Sequence, residues 1–303
     1  MAKRTFEFVQ LDVFTREPLQ GNPLAVFHDG RGLTDAEMQA LAREMNLSET
    51  TFILPRDPAL EAKEGKQVRI FTVEEELPFA GHPTLGTALY LHTLAPKADE
   101  IMLDLKVGKI PVRMTREADS AADRVDGKIF GEMRQRDPEF GAVLSREEVA
   151  RVIEVEIDEI ASDCPVQVVS AGLPFAVVPI RDSRVLANLK NRSIEAADFL
   201  EKNGARFFYF LCRDRQDAKL EARARMFFYG GEDPATGSAA GCAASWMARY
   251  GWAKSDEQVL IRQGVEAGRP SELFVRATYD GGKVTNVRVG GFAVEILRGT
   301  VTL

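Results

Sequence analysis

The chain carries one stretch of sequence twice, spaced by half its own length. Arg69-Ile70-Phe71, Glu76, Pro78 and Gly81 recur as Arg225-Met226-Phe227, Glu232, Pro234 and Gly237 (225 − 69 and 237 − 81 both give 156, in a chain of 303 residues). Gly21-Asn22-Pro23-Leu24-Ala25-Val26 returns as Gly172-Leu173-Pro174-Phe175-Ala176-Val177 (172 − 21 = 151). Solenoid repeats run to roughly 20–50 residues, so a period of half the chain is not a solenoid. It points instead to two domains of one fold. The expectation is two similar halves facing each other across a cleft, because ligand sites favour domain interfaces.

Each half is long enough to bury a core of its own. Apolar residues make up 45%, charged residues 28%, and the net charge is −7. That balance describes a soluble, mildly acidic protein. No basic run or basic-aromatic interleaving is present, which argues against nucleic acid as a partner. No stretch approaches the roughly 20 apolar residues needed to cross a bilayer, so no membrane association is expected. The basic N-terminus lacks an apolar core and a small-residue cleavage site, and reads as a strand rather than a signal peptide. Cys164, Cys212 and Cys242 are an odd number without metal-ligand spacing, as expected of reduced thiols in a cytoplasmic protein.

Strands and helices are legible along the chain. Phe6, Phe8, Leu11 and Val13, then Leu24 to Phe27, predict two strands around a Gly-Asn-Pro turn. Thr34-x-x-Glu37 is a capping box, opening a helix whose apolar face is Met38, Leu41, Ala42 and Met45. Residues 50–54 and 68–73 read as strands, and 81–94 as a helix with tiny residues in its first turns. The order then repeats, with strands near 166–180, a helix from about 193 to 202, strands at 206–212 and 221–229, and a small-residue helix from 237 to about 250. Strands outnumber helices and often follow one another directly, which favours an α+β fold with a mainly antiparallel sheet over a doubly wound parallel one. The polar stretch 115–126 predicts the hinge, dividing the chain into halves 1–118 and 119–303, with the extreme C-terminus free to pack back on the first half.

Both small-residue helices start alike. Ala80-Gly81-His82-Pro83-Thr84-Leu85-Gly86 and Asp233-Pro234-Ala235-Thr236-Gly237-Ser238 place glycines and hydroxyls where a strand turns into a helix. The first amides of a helix lack internal partners and carry the positive end of its dipole, so small side chains leave them open to an anion. Neither segment matches a P-loop or a dinucleotide fingerprint. With no Lys or Arg in either turn, a carboxylate suits them better than a phosphate. The alternative is close packing alone, with glycines that only let the helix approach the sheet.

Three histidines cannot form a metal cluster by their spacing, so no metal is expected. His28 precedes an Asp-Gly turn and reads as a surface loop residue; His92, late on a helix, reads as structural. His82 sits in the first turn of the first anion-friendly helix, where the dipole disfavours the charged imidazole. Glu49 stands between a helix end and a strand start, where an exposed strand-start glutamate is the plain alternative. Asp233 could simply cap its helix, and Glu74-Glu75-Glu76 could be a solvated turn. These residues suffice for acid–base chemistry on a small acidic molecule.

Five segments together resemble one known family. They are Gly21 to Phe27, Asn46-Leu47-Ser48-Glu49-Thr50-Thr51-Phe52, residues 68–72, Leu77 to Ala88, and Gly231 to Gly241, with Gly290-Gly291 near the end. On them the chain is similar to the PhzF-like proteins, a branch of the diaminopimelate epimerase-like superfamily. The resemblance implies two similar halves, each a partly closed, mostly antiparallel barrel-like sheet around a central helix, with the active site in the cleft between them. It implies a cofactor-free isomerase, homodimeric, in which Glu49 takes a proton from a ring carbon of dihydro-hydroxyanthranilate and returns it elsewhere. By the same resemblance His82, Asp233, Ser238, Gly81, Gly237 and Asn22 bind the substrate. Two-base epimerases and proline racemases of the wider superfamily place a cysteine at each helix start; here none stands there, and Cys242 lies on the helix itself. The reading is therefore an isomerase acting on a small cyclic or unsaturated carboxylic acid. Epimerisation or another proton transfer on an acidic metabolite is the alternative, and a non-catalytic carboxylate-binding protein is a third.

Overall fold

The computed structural model describes residues 3–116, 129–214, 221–228 and 231–303. The fold is mixed α/β, with seven α-helices among the described residues. The chain divides into two compact units, the first comprising residues 1–133 with 290–303, the second 134–289. The expected boundary at 118/119, like most of the expected hinge, lies outside the described residues; Thr115 and Arg116 close a strand.

The first unit begins with β1 (Thr5–Val13), β2 (Asn22–Phe27), α1 (Asp35–Met45), β3 (Glu49–Leu54) and α2 (Pro58–Glu64). It continues with β4 (Lys66–Phe71), β5 (Glu76–Leu77), α3 (Gly81–Leu94), β6 (Glu100–Leu105), β7 (Gly108–Arg116) and β8 (Ile129–Arg134). The second unit opens with β9 (Glu139–Leu144), α4 (Arg146–Ile153), β10 (Val166–Ser170), β11 (Pro174–Ile180), α5 (Ser183–Asn188) and α6 (Ala197–Lys202). Next come β12 (Phe207–Asp214), β13 (Glu221–Arg225), β14 (Phe227–Phe228), β15 (Gly231–Glu232) and α7 (Gly237–Arg249). It ends with β16 (Val259–Gln263), β17 (Ser271–Asp280) and β18 (Lys283–Gly291), and β19 (Ala293–Thr302) belongs to the first unit.

The pairing pattern is itself duplicated. In the first unit β2 runs parallel to β3, β3 antiparallel to β4, β4 parallel to β6, and β6 antiparallel to β7. In the second, β11 runs parallel to β12, β12 antiparallel to β13, β13 parallel to β16, and β16 antiparallel to β17. The antiparallel edges match the sequence expectation, while the parallel pairs arise where a helix or long loop carries the chain back to start a strand.

Each unit buries one helix along its length. Residues 81–92 of α3 are all buried, and α3 meets β1, β2, β3, β6 and β7. A helix apolar on every side has no solvent face to offer and belongs inside. Gly86 shows how tightly: a Cβ there would lie 2.7 Å from Leu24 and Val13 methyls. In the second unit α7 meets β10, β11, β12 and β17, and is buried from Ala239 to Ala248.

Several local expectations change on inspection. The turn after β1 is residues 14–21, and Asn22 and Pro23 already belong to β2. Gly21 makes that turn possible with φ +67°, where a Cβ would press to 2.3 Å of the Val13 carbonyl. The helix expected over 193–202 starts only at Ala197. Glu76 is no solvated turn residue. It holds Arg69 through both carboxylate oxygens, at 2.8 and 2.6 Å. The His28 ring is not a free surface group either: it stacks on Tyr90 and shares a 2.8 Å hydrogen bond with its hydroxyl.

Candidate active site

The first unit brings Glu49 and His82 together. Glu49 opens β3, in register with Leu24 of the parallel strand β2. It starts there because Asn46, in the left-handed conformation, ends α1 three residues earlier and turns the chain. His82 is the second residue of α3. Its Nε2 lies 3.5 Å from Glu49 Oε2, and both side chains are shielded, at 5% and 15% exposure. The separation is longer than a finished hydrogen bond, as is common for acid–base pairs without substrate.

The tautomer of His82 follows from its other contact. The ring donates to the Pro23 carbonyl, while Nε2 has no hydrogen-bond partner. The donor is therefore Nδ1, and Nε2 presents a lone pair towards Glu49. Burial is the main cause that pulls the His82 pKa down to about 3, with the Pro23 contact opposing it. The imidazole is neutral at physiological pH, as the sequence led us to expect, but desolvation rather than the helix dipole is the first cause. Asn22, the neighbour of Pro23, is fully buried and pairs with Val13 across β1. So the Gly21-Asn22-Pro23 segment and the His82 helix start, sixty residues apart in sequence, form one piece of structure.

The two helix starts lack the side-chain cap that four other helices carry. Thr34, Asp57, Ser145 and Asp182 cap α1, α2, α4 and α5 with side-chain oxygens. Ala80 and Thr236, at the start of α3 and α7, make no such cap. The first intrahelical bonds are Thr84 N–H to Ala80 O and Ala240 N–H to Thr236 O. In α3 this leaves the amides of Gly81 and His82, Pro83 having none. In α7 it leaves three, those of Gly237, Ser238 and Ala239. The second start therefore offers an anion the fuller set of donors.

Asp233 stands three residues before Thr236, the cap residue of α7. Its Oδ2 accepts from Thr236 Oγ1, at 2.6 Å. Asp233 and Ser238 are both half-buried. Behind them Gln263 and Tyr209 complete a polar cluster that sequence reasoning missed. Its one signal was a glutamine at the end of an apolar strand (Val259-Leu260-Ile261-Arg262-Gln263), where full burial demands hydrogen-bond partners. Cys242 is fully buried on α7, and burial pushes its thiol up to about 12. Among the described residues no group of three or more His, Cys, Asp or Glu side chains converges as a metal site would require.

A shielded carboxylate beside a neutral imidazole is an arrangement of general acid–base chemistry. Comparison with known proteins identifies the family. The sequence profile of the phenazine biosynthesis-like proteins matches residues 11–299. The chain is 36% identical over 300 residues to trans-2,3-dihydro-3-hydroxyanthranilate isomerase of Pseudomonas aeruginosa, covering 98% of this chain and 99% of that protein. Its structure is similar to that of a PhzF-family phenazine biosynthesis protein of Bacillus anthracis, with a TM-score of 0.86 at 25% identity over 99% of this chain and 100% of that one. A hydroxyproline epimerase of Agrobacterium vitis shares the fold alone, with a TM-score of 0.66 at 12% identity over 99% of this chain and 93% of that one. The chain belongs to the phenazine biosynthesis-like (PhzF) family. It is an isomerase.

Proposed function

We propose that this isomerase moves a proton between two carbons of a small cyclic or unsaturated carboxylic acid, with Glu49 as the shuttle. The observation that carries the reading is the shielded 3.5 Å approach of Glu49 to the neutral His82. In the first step the Glu49 carboxylate takes a proton from a substrate carbon, and the released electron pair moves into the adjacent double bond. In the second, the Glu49 carboxylic acid returns the proton to a different carbon, and the double bond shifts. Nothing is gained or lost overall. His82 acts between the steps: its Nε2 lone pair accepts a hydrogen bond from Glu49 only while Glu49 carries the proton, which stabilises the loaded shuttle. The amides at the start of α7, with Ser238 and Asp233, bind the polar groups of the substrate.

The similarity to the Pseudomonas aeruginosa isomerase makes trans-2,3-dihydro-3-hydroxyanthranilate the first substrate to test. We take each unit's sheet to curl partly closed around its buried helix, and the protein to work as a cytoplasmic homodimer. Cys164, Cys212 and Cys242 are all buried, and sedimentation at micromolar concentration reads the dimer directly, a monomer refuting it. The test of mechanism is turnover of that substrate in deuterated water, followed by NMR. Wild type should yield the isomerised product, with deuterium at the accepting carbon only to the extent that the loaded Glu49 exchanges with solvent before returning its proton, and Glu49→Gln should lose about a thousandfold or more in rate. Full turnover by Glu49→Gln would end the shuttle assignment. Ligand-dependent thermal stabilisation without product would favour a binding protein.

A further inference from the structure

Three buried groups behind Asp233 form with it a chain of hydrogen bonds whose direction is fixed by chemistry. Gln263 is wholly buried and touches two backbone groups. The Thr236 N–H lies 3.3 Å from one end of its amide and the Asp233 carbonyl 2.8 Å from the other. A backbone N–H can only donate and a carbonyl can only accept, so the first end is the oxygen and the second the nitrogen. Tyr209, also wholly buried, must then donate its O–H to Gln263 Oε1, at 3.0 Å. Gln263 Nε2 must donate to Thr236 Oγ1, at 2.9 Å. Thr236 sends its own proton to Asp233 Oδ2, at 2.6 Å, because a carboxylate oxygen can only accept. Every link points the same way, from Tyr209 to the carboxylate.

The backbone is held to the same end. Gly264 follows Gln263 with φ +75°, and a Cβ there would come within 2.5 Å of the Pro234 carbonyl and 2.4 Å of the Arg269 carbonyl. No side chain fits, so β16 can approach the 233–236 turn closely enough for Gln263 to reach it.

We propose that Tyr209, Gln263 and Thr236 are positioning residues that lock the Asp233 carboxylate in one orientation, as an acceptor with Oδ2 already engaged from behind. Aligned donors polarise one another in a dry interior, so each link strengthens the next. A lone Asp on a loop would rotate and share its two oxygens with water; this one meets its ligand with the geometry set in advance. That Asp233 touches substrate rests on the function proposed above, but the lock itself does not.

The test therefore has one readout that needs no substrate. In protein labelled with 13C at the aspartate carboxyls, the Asp233 resonance is assigned by its absence in Asp233→Asn. Thr236→Val keeps the shape and removes the donor, so the resonance should move. Thr236→Ser restores the donor and should bring it back. Tyr209→Phe should move it in the same direction by less, although the Tyr209 hydroxyl contacts Gln263 and not Asp233. An Asp233 resonance unchanged by Tyr209→Phe, or displaced as far by Thr236→Ser as by Thr236→Val, would overturn the proposal. In turnover, Thr236→Val should lose about tenfold in kcat/KM, Thr236→Ser little, and Thr236→Val nothing further once Asp233 is Asn. Full additivity in that double variant would also overturn it. Retained turnover in Glu49→Gln would instead sink the shuttle mechanism and leave the resonance result standing.

Discussion

At the turn before its buried helix, each unit pins the chain with the same ion pair. Arg69 grips Glu76 in the first, at 2.8 and 2.6 Å, and Arg225 grips Glu232 in the second, at 2.9 and 2.7 Å. Each guanidinium also lies over the phenylalanine two residues on, Phe71 or Phe227. Beyond the pin the units part. Leu24 of β2 is matched by Glu49, whereas Phe175, its repeat partner on β11, is matched by Phe207. His82 has Ser238 as its repeat partner, and Asp233 and Thr236 stand where the first unit has Leu77 and Ala80 (each 156 residues apart). Scaffold residues were kept in duplicate, while Glu49 and His82, the pair proposed above for proton transfer, sit in one copy and the hydrogen-bonded carboxylate Asp233 in the other. Racemisation by two equivalent bases needs a proton carrier in both copies. An isomerase that returns one proton to the same face can work with one.

The largest effect expected on stability separates the two pins. Arg225 has a side chain only 8% exposed, and its Nη1 also donates to the carbonyls of Leu186, Ala187 and Leu189. Removing it strands Glu232 and three carbonyls, so Arg225→Met should cost about 3–5 kcal/mol in urea unfolding. Arg69 has the highly exposed Asp35 as its further partner, and Lys106 lies 2.6 Å from Glu76 and can replace part of the charge. Arg69→Met should cost roughly 1–2 kcal/mol. Equal costs would mean that the pins are equivalent after all.

The second effect is confined to the first unit and depends on pH. Folding holds the His82 pKa down to about 3, and unfolding returns it to its ordinary value of about 6.5. Between those values the unfolded chain binds a proton that the folded one does not. His82 therefore takes nothing from stability above pH 6.5, and stability is lost as pH falls through the window, by about 1.4 kcal/mol per unit. Other carboxylates add their own slopes, so the readout is a difference: His82→Gln should be flatter than wild type by one proton between pH 4 and 6, and Ser238→Ala should not. Parallel slopes for wild type and His82→Gln would show that the buried ring charges in place.

How much of this was open to reading from the chain depended on the type of signal. The repeat, both buried helices and the strand at Glu49 follow from periodicity, glycine placement and β-branched runs, all local properties. Glu49 and His82 were legible as residues, but not their approach, which needs Pro23 to seat the imidazole from a strand sixty residues away. Glu76 read as a solvated turn because three glutamates in a row look hydrated; only the partner Arg69 on the next strand reverses that. Gln263 left only the faint signal of a glutamine ending an apolar strand and Tyr209 none, since Gln263 takes its partners from the 233–236 turn and Tyr209 from the Gln263 side chain, both remote in sequence. Pairings of this kind are set by tertiary packing, which no single-segment pattern encodes.

The third effect tests packing between each helix and its sheet, at one repeated position. Gly86 of α3 corresponds to Cys242 of α7 (242 − 86 = 156). An alanine at 86 would gain helix propensity, but its Cβ would press to 2.7 Å on the Leu24 and Val13 methyls. Net destabilisation of about 1–2 kcal/mol is expected, because overpacking there outweighs the propensity gain. The change at that position in the second unit removes only a sulfur, which makes a weak 3.6 Å approach to the Leu173 carbonyl. Cys242→Ala should cost about 1 kcal/mol and leave turnover unchanged. With its thiol pushed up to about 12 and no exposure, Cys242 should also resist alkylation at pH 8 in the folded protein. Loss of turnover on that substitution, or rapid alkylation that abolishes activity, would give the second unit a proton carrier of its own. The division of chemistry between the two copies would then fail.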